Sequence, residues 1–267
     1  MTPRLFVEDD LASGAALTLD GPRAHYLRDV LRLGVGANVL LFNGRDGEWQ
    51  AKVAATAKRS LDLGIETQTR PLGVEPDLWL CFAPVKKARI DFIAEKATEL
   101  GVSALVPVVT RRTNVERVNV ERLRANAVEA AEQTERLTVP EVREPASLEQ
   151  VLKGWPAGRR LLIADETGGG KPILDALREA QPGPWAVLIG PEGGFTREEL
   201  DRIAALPGVL PVGLGPRILR ADTAAIAALS CLQAAIGDWR EATPRRWPDY
   251  AGTVERGNLM RGRGEQG

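Results

Sequence analysis

The rhythm of apolar positions changes once along the chain, close to residue 75. Before that point the apolar runs are short and broken by turn signals: Leu17-Thr18-Leu19, Val39-Leu40-Leu41-Phe42, Trp49-Gln50-Ala51-Lys52-Val53 and Leu61-Asp62-Leu63. Asn43-Gly44 and Asp46-Gly47 separate two of these runs, the chemistry of a hairpin turn. One stretch, residues 25–33, has helical spacing, and Gly34 behind it suits a left-handed cap. The first 72 residues therefore predict a small β-barrel-like domain. Pro71, Gly73 and Pro76 mark a linker.

After the linker the pattern becomes α/β. Continuous apolar runs at 78–82, 104–109, 161–164, 185–189 and 209–214 predict buried strands. Between them, 86–100 places Ile93, Ala97 and Leu100 on one face ahead of Gly101. Residues 118–135 do the same with Val120, Leu123, Ala127 and Ala131. A short helix follows Pro172, Thr196 and Glu199 have the spacing of a capping box, and an Ala-rich helix covers 222–236. Strands apolar on both faces and alternating with helices imply a mostly parallel sheet covered on both sides. This second domain is expected over 76–242. Residues 243–267, Gly- and Arg-rich from about Thr253, are expected to form a flexible tail.

Composition narrows the chemistry. Lys and Arg total 35 against 36 Asp and Glu, which argues against non-specific coating of nucleic acid and moves the question to local patches. Such patches occur at Lys86, Lys87 and Arg89, and at Arg111, Arg112, Arg117, Arg122 and Arg124; we expect phosphate contacts there. Cys81 and Cys231, each in an apolar run, read as buried thiols in a reducing compartment. With His25 they are too few for a four-ligand zinc site, so no metal is expected. His25 is the one histidine of the chain and a weak candidate for a catalytic base. No apolar stretch approaches the roughly 18 residues of a membrane span. The opening residues turn acidic at Glu8-Asp9-Asp10, where a signal peptide would be apolar. A cytoplasmic location is the expectation.

Two Gly-rich segments stand at the carboxyl ends of predicted strands: Leu188-Ile189-Gly190-Pro191-Glu192-Gly193-Gly194-Phe195, and Leu214-Gly215-Pro216-Arg217-Ile218-Leu219-Arg220-Ala221-Asp222-Thr223-Ala224. Ligands of open α/β sheets bind at that edge, and glycine lets backbone approach a flat ligand closely. Phosphate loops fit poorly. Gly168-Gly169-Gly170-Lys171 has Asp165 and Pro172 where a Walker loop needs Gly and Ser or Thr, and Gly213-Leu214-Gly215 has Ile218 where a dinucleotide loop needs its third Gly.

The paired motifs Gly190-Pro191-Glu192-Gly193-Gly194 and Leu214-Gly215-Pro216-Arg217-Ile218-Leu219-Arg220 resemble the signature of the RsmE family, bacterial methyltransferases that make N3-methyluridine in small-subunit (16S) ribosomal RNA. The resemblance extends to His25 with Val30-Leu31-Arg32 and Gly36, to Glu95 through Val102, and to Glu132-Gln133 with Val139-Pro140-Glu141-Val142. Where the family often has Thr-Glu-Thr, this chain has Ala221-Asp222-Thr223, a shorter carboxylate. The resemblance implies a SPOUT-type, trefoil-knotted, mostly parallel sheet with an N-terminal PUA-like β-barrel that binds RNA. It also implies a homodimer that uses S-adenosylmethionine. Its implied cofactor residues are Leu188, Ile189, Gly190, Pro191, Glu192, Gly193, Leu214, Gly215, Ile218, Leu219 and Ala224. Arg220, Glu132 and Asp222 are the catalytic candidates. Arg28, Arg32, Lys86, Lys87, Arg89, Arg111 and Arg112 are the RNA-binding candidates. The rival readings are a SPOUT enzyme acting on ribose 2′-hydroxyls or transfer RNA, and a non-catalytic ribosome-assembly factor. The β-rich N-terminus and the Leu214-to-Arg220 motif argue against the former rival, and the intact Gly loops and Arg220 argue against the latter.

Overall fold

The computed structural model describes residues 2–85, 87–114, 117–165 and 167–241, except for the side chain of Lys87. Lys86 and the tail expected over 243–267 lie outside the described residues. The chain builds two sheets. The first contains β1 (Arg4–Phe6), β2 (Ala16–Asp20), β3 (Asn38–Phe42), β4 (Glu48–Thr56) and β5 (Ser60–Arg70), in the order β1-β3-β4-β5-β2. It curls around a core of alternate inward residues, Leu17 and Leu19, Val39 and Leu41, Leu61 and Leu63. Gly44 and Gly47 take positive φ in the β3–β4 hairpin. The helical stretch differs from expectation. A short helix α1 (Gly21–His25) continues into a π-helical turn (Tyr26–Val30), and Arg32, with φ of 55°, takes the left-handed position expected of Gly34.

The second sheet is formed by β6 (Leu78–Phe82), β7 (Ala104–Val109), β8 (Glu141–Val142), β9 (Ala146–Ser147), β10 (Arg160–Ala164), β11 (Lys171–Pro172), β12 (Trp185–Ile189) and β13 (Val209–Gly213). The order is β11-β13-β10-β12-β6-β7-β8, with β9 beside β7, and every pairing is parallel. Such a sheet must bury both faces, and the side-chain alternation shows how. Leu78, Leu80, Phe82, Leu162, Val187 and Ile189 meet α2 (Lys87–Glu99), α3 (Val120–Gln133), α5 (Ile173–Leu177) and α7 (Ala221–Ile236). Cys81, Leu161, Ile163, Ala186 and Leu188 meet α4 (Leu148–Lys153) and α6 (Arg197–Ala204) on the other face. Burial pushes the Cys81 thiol up to about 12, whereas Cys231, expected to be buried, is only half-buried on α7. Among the described residues no helix is long and apolar enough to cross a membrane.

Helix α6 starts as its sequence predicts. The Thr196 hydroxyl accepts the Glu199 N–H at 3.3 Å, and the Glu199 carboxylate accepts the Thr196 N–H at 2.8 Å and the Arg111 N–H at 2.8 Å. The last bond ties the loop after β7 to α6. Replacing Thr196 by Ala removes one cap bond and leaves the buried Glu199 otherwise held. We expect about 1 kcal/mol of lost stability in urea unfolding.

Candidate functional site

Strand β10 lies between β12 and β13, so three strand-to-helix loops leave the carboxyl edge side by side. They surround a cavity of about 700 Å³. The first loop follows β12. Gly190 packs so closely on the Phe195 ring that a Cβ would lie 2.7 Å from it, and Gly194 (φ 68°) closes a turn by donating to the Pro191 carbonyl at 2.8 Å. The second follows β13. Gly215 takes φ of 98°, and nothing lies within 4 Å of where its Cβ would be, so this backbone is open toward the cavity it lines. The third follows β10. The Asp165 carboxylate accepts the Thr167 N–H at 2.8 Å and its hydroxyl at 2.7 Å, folding the loop back. At Gly170 a Cβ would strike the backbone of Val212 at 2.6 Å, so only glycine lets this loop lie against β13.

Apolar walls come from Ile189, Phe195, Leu200, Leu214, Leu219, Ala221 and Ala224, with Ile218 at the rim, 91% exposed. Charge enters from two sides. Asp165 and Glu192 bring carboxylates, and Arg217 and Arg220 bring guanidinium groups. Neither arginine has a side-chain partner among the described residues. Arg220 is the N-cap residue of α7, so the positive end of this 16-residue helix faces the cavity beside it. Asp222 does not pair with Arg220. Its carboxylate accepts the Thr223 N–H at 3.0 Å and lies 4.0 Å from Arg89 Nε.

Of the residues proposed from sequence to hold a cofactor, Ile189, Gly190, Pro191, Glu192, Leu214, Gly215, Ile218, Leu219 and Ala224 line this cavity, as does Arg220. Leu188 does not, because strand alternation turns it to the opposite face of the sheet. Gly193 does not either, and Arg112 packs over it. Glu132 stands apart where α3 meets the first sheet, and its carboxylate accepts the Phe6 N–H of β1 at 2.9 Å. Sequence reasoning misses the third loop. A Gly-rich run at the end of a predicted strand is the available signal, but its composition points first to a phosphate loop, whose pattern it fails.

Most of the expected RNA-contacting arginines already hold protein groups. Arg89 pairs with Glu192, and Arg112 donates to the Gly193 carbonyl at 2.6 Å, so both brace the first loop. Arg111 reaches Glu198 at 3.8 Å, Arg122 pairs with Asp91, and Arg124 pairs with Glu8. Arg28 holds Asp29 and the carbonyls of Ala57 and Lys58, and with His25 it draws the Asp29 carboxyl down to about 2. Arg32 is exposed without a partner among the described residues.

Two family models match the chain: one described as an RNA methyltransferase domain over residues 74–233, the other as an RNA methyltransferase PUA domain over residues 19–66. The chain is 33% identical over 229 residues to the ribosomal RNA small subunit methyltransferase E of Rickettsia conorii, covering 85% of this chain and 93% of the relative. It is 28% identical over 244 residues to the protein of the same name from Bacillus subtilis, covering 86% and 95%. Among solved structures, the Neisseria gonorrhoeae ribosomal RNA small subunit methyltransferase E bound to S-adenosylmethionine superimposes with a TM-score of 0.81 at 29% identity, covering 90% of this chain and 100% of that one. A Legionella pneumophila methyltransferase with the same cofactor gives 0.80 at 32% identity, covering 89% and 99%.

Gly190→Ala places a methyl against the Phe195 ring, which must move into the cavity it lines. We expect about 1–3 kcal/mol of destabilisation by overpacking in urea unfolding. An unchanged midpoint would show that the ring yields freely.

Proposed function

The chain belongs to the ribosomal RNA small subunit methyltransferase E family, and on that premise we propose how its residues perform S-adenosylmethionine-dependent methylation of N3 of a uridine in 16S ribosomal RNA. The observation that carries the reading is the cavity framed by the Gly190–Phe195 and Leu214–Ala224 segments with an unpartnered Arg220 in its wall. The lining fits the cofactor. Ile189, Leu214, Leu219 and Ala224 offer apolar faces to the flat adenine. The open backbone at Gly215 offers polar atoms to its edge, and the Asp165 carboxylate suits a ligand that carries positive charge.

S-adenosylmethionine supplies an electrophilic methyl group on its sulfonium. The protein's task is to orient the acceptor and to favour its anion. Neutral uracil N3 is a poor nucleophile, so its proton must leave, and negative charge then spreads onto the flanking carbonyl oxygens. Arg220 is permanently charged and offers donors in a planar fork, which suits two-point contact with that anion. The end of α7 adds positive potential at the same wall. Neither candidate carboxylate is among the lining residues: Asp222 stands in the first turn of α7 with its carboxylate turned to the Thr223 N–H and Arg89, and Glu132 is held at the domain junction. Asp222 adjoins the lining residue Ala221 and is our choice to receive the N3 proton.

We assign RNA binding to residues 1–72, with Arg32 as a free cation on that domain, and catalysis to 76–242. The protein acts in the cytoplasm as a homodimer. The small side chains Ala227, Ser230 and Cys231 leave one flank of α7 only half-buried, which suits a second helix packed close, and sedimentation at micromolar protein should give twice the 28.9 kDa chain mass.

Arg220→Ala should lower the single-turnover methylation rate at saturating RNA about 10²- to 10³-fold, by analogy with removing one positioned oxyanion donor. Equilibrium binding of S-adenosylmethionine should stay within twofold. A loss of cofactor affinity as large as the rate loss would make Arg220 a cofactor ligand, and an unchanged rate would remove it from the mechanism.

A further inference from the structure

The two domains meet through a buried joint built on Arg4 of β1. Its guanidinium donates to the Glu48 carboxylate at 2.7 Å, to the carbonyls of Ala131 and Glu132 at 3.1 and 3.0 Å, and to the Arg136 carbonyl at 2.9 Å. Those carbonyls belong to the end of α3 and the turn after it, where unpaired acceptors need a donor. The same guanidinium lies over the Phe42 ring, 4.5 Å from its centroid. Glu48 also accepts from Nε and Nη2 of Arg70, at 3.0 and 2.7 Å, and the same Nη2 reaches the Glu135 carbonyl at 3.0 Å. Burial pushes the Glu48 carboxyl up, but the bonds from Arg70, Arg4 and Thr69 outweigh it and hold the group below the usual carboxylate range. From the other side, Glu132 on α3 accepts the Phe6 N–H of β1 at 2.9 Å, and burial raises its carboxyl.

The side chains of Arg4 and Glu48 are 7% and 5% exposed. Ions so deeply buried add little net stability compared with an apolar contact, but their bonds are directional and satisfied at one relative orientation. The far end of α3 points the joint toward the reaction. The loop ahead of α3 carries Arg111 and Arg112, which hold Glu199 and Gly193, next to the cavity's first loop. At about 1.5 Å per residue, the 14 residues of α3 make a strut of about 21 Å between the domain junction and that loop.

We propose that Arg4 and Glu132 are positioning residues for the methylation reaction: their joint fixes the N-terminal domain on α3 so that RNA held there presents its target base to the cavity. The proposal rests on the assignment of RNA binding to the N-terminal domain. It accounts for a carboxylate at 132 without giving it contact with the base. A loosened joint leaves both binding steps intact and lowers the fraction of complexes in which the base is aligned.

The test compares Arg4→Gln, Glu132→Ala and the wild-type chain in three measurements: S-adenosylmethionine affinity, affinity for small-subunit RNA, and single-turnover methylation with both saturating. Arg4→Gln should keep both affinities within about twofold and lose about 10-fold or more in rate. Glu132→Ala leaves the Arg4–Glu48–Arg70 cluster whole, so it keeps the N-terminal domain folded even if Arg4→Gln does not. It should show the same pattern at about 3- to 5-fold. Rates equal to wild type in both variants overturn the proposal and leave the assigned function standing. So does a Glu132→Ala rate loss that merely tracks lost RNA affinity. Wild-type protein that transfers no methyl group to RNA overturns the function and the proposal together.

Discussion

Placing β10 between β12 and β13 is the constraint on which the site depends. A strand inserted out of chain order brings the carboxyl ends of three parallel strands together, and only there can loops distant in sequence share one cavity. That arrangement requires close backbone packing, and glycine permits it at two positions. Gly170 lies on the backbone of β13, and Gly190 lies under the Phe195 ring. Gly215 has a different role: its positive φ bends the second loop while leaving the space beside it open. The apolar sheet keeps the loops registered from below, and α7 starts at the cavity with its positive end.

The arginines around the cavity divide into those that brace the fold and those left free to face it. Arg89 and Arg112, like Arg4 and Arg122 elsewhere, bond to protein carboxylates or carbonyls and brace one segment against another. Arg217 and Arg220 line the cavity without partners among the described residues. A cation held by the fold has its donors occupied, whereas one left free in a concave wall keeps them for a substrate that becomes anionic. This difference, more than the number of basic residues, separates the cavity wall from the framework that braces it.

Much of the second domain is legible in the amino-acid pattern alone, because strands buried on both faces leave unbroken apolar runs. The strand at 185–189 and the one at 104–109 have the limits that their runs predict, and the Thr196–Glu199 box opens α6. Other features carry no such mark. β1 is three residues long and owes its existence to pairing with β3, and the left-handed turn at Arg32 defies the preference for Gly34. In the site, motif membership overreaches. Leu188 and Gly193 lie within a recognisable run, yet strand alternation and the cover of Arg112 keep them off the cavity wall. Glu132 illustrates the reverse limit: its neighbours along the chain give no sign that a strand some 126 positions away bonds to it.

The central claim is that these loops present one methyl donor to N3 of one uridine. The most direct measurement is transfer from deuterated-methyl S-adenosylmethionine to small-subunit ribosomal RNA, followed by nucleoside mass spectrometry and mapping of the labelled position. The account predicts label in 3-methyluridine at a single site, with none in transfer RNA. Label in a 2′-O-methyl nucleoside, or in transfer RNA instead, would contradict it.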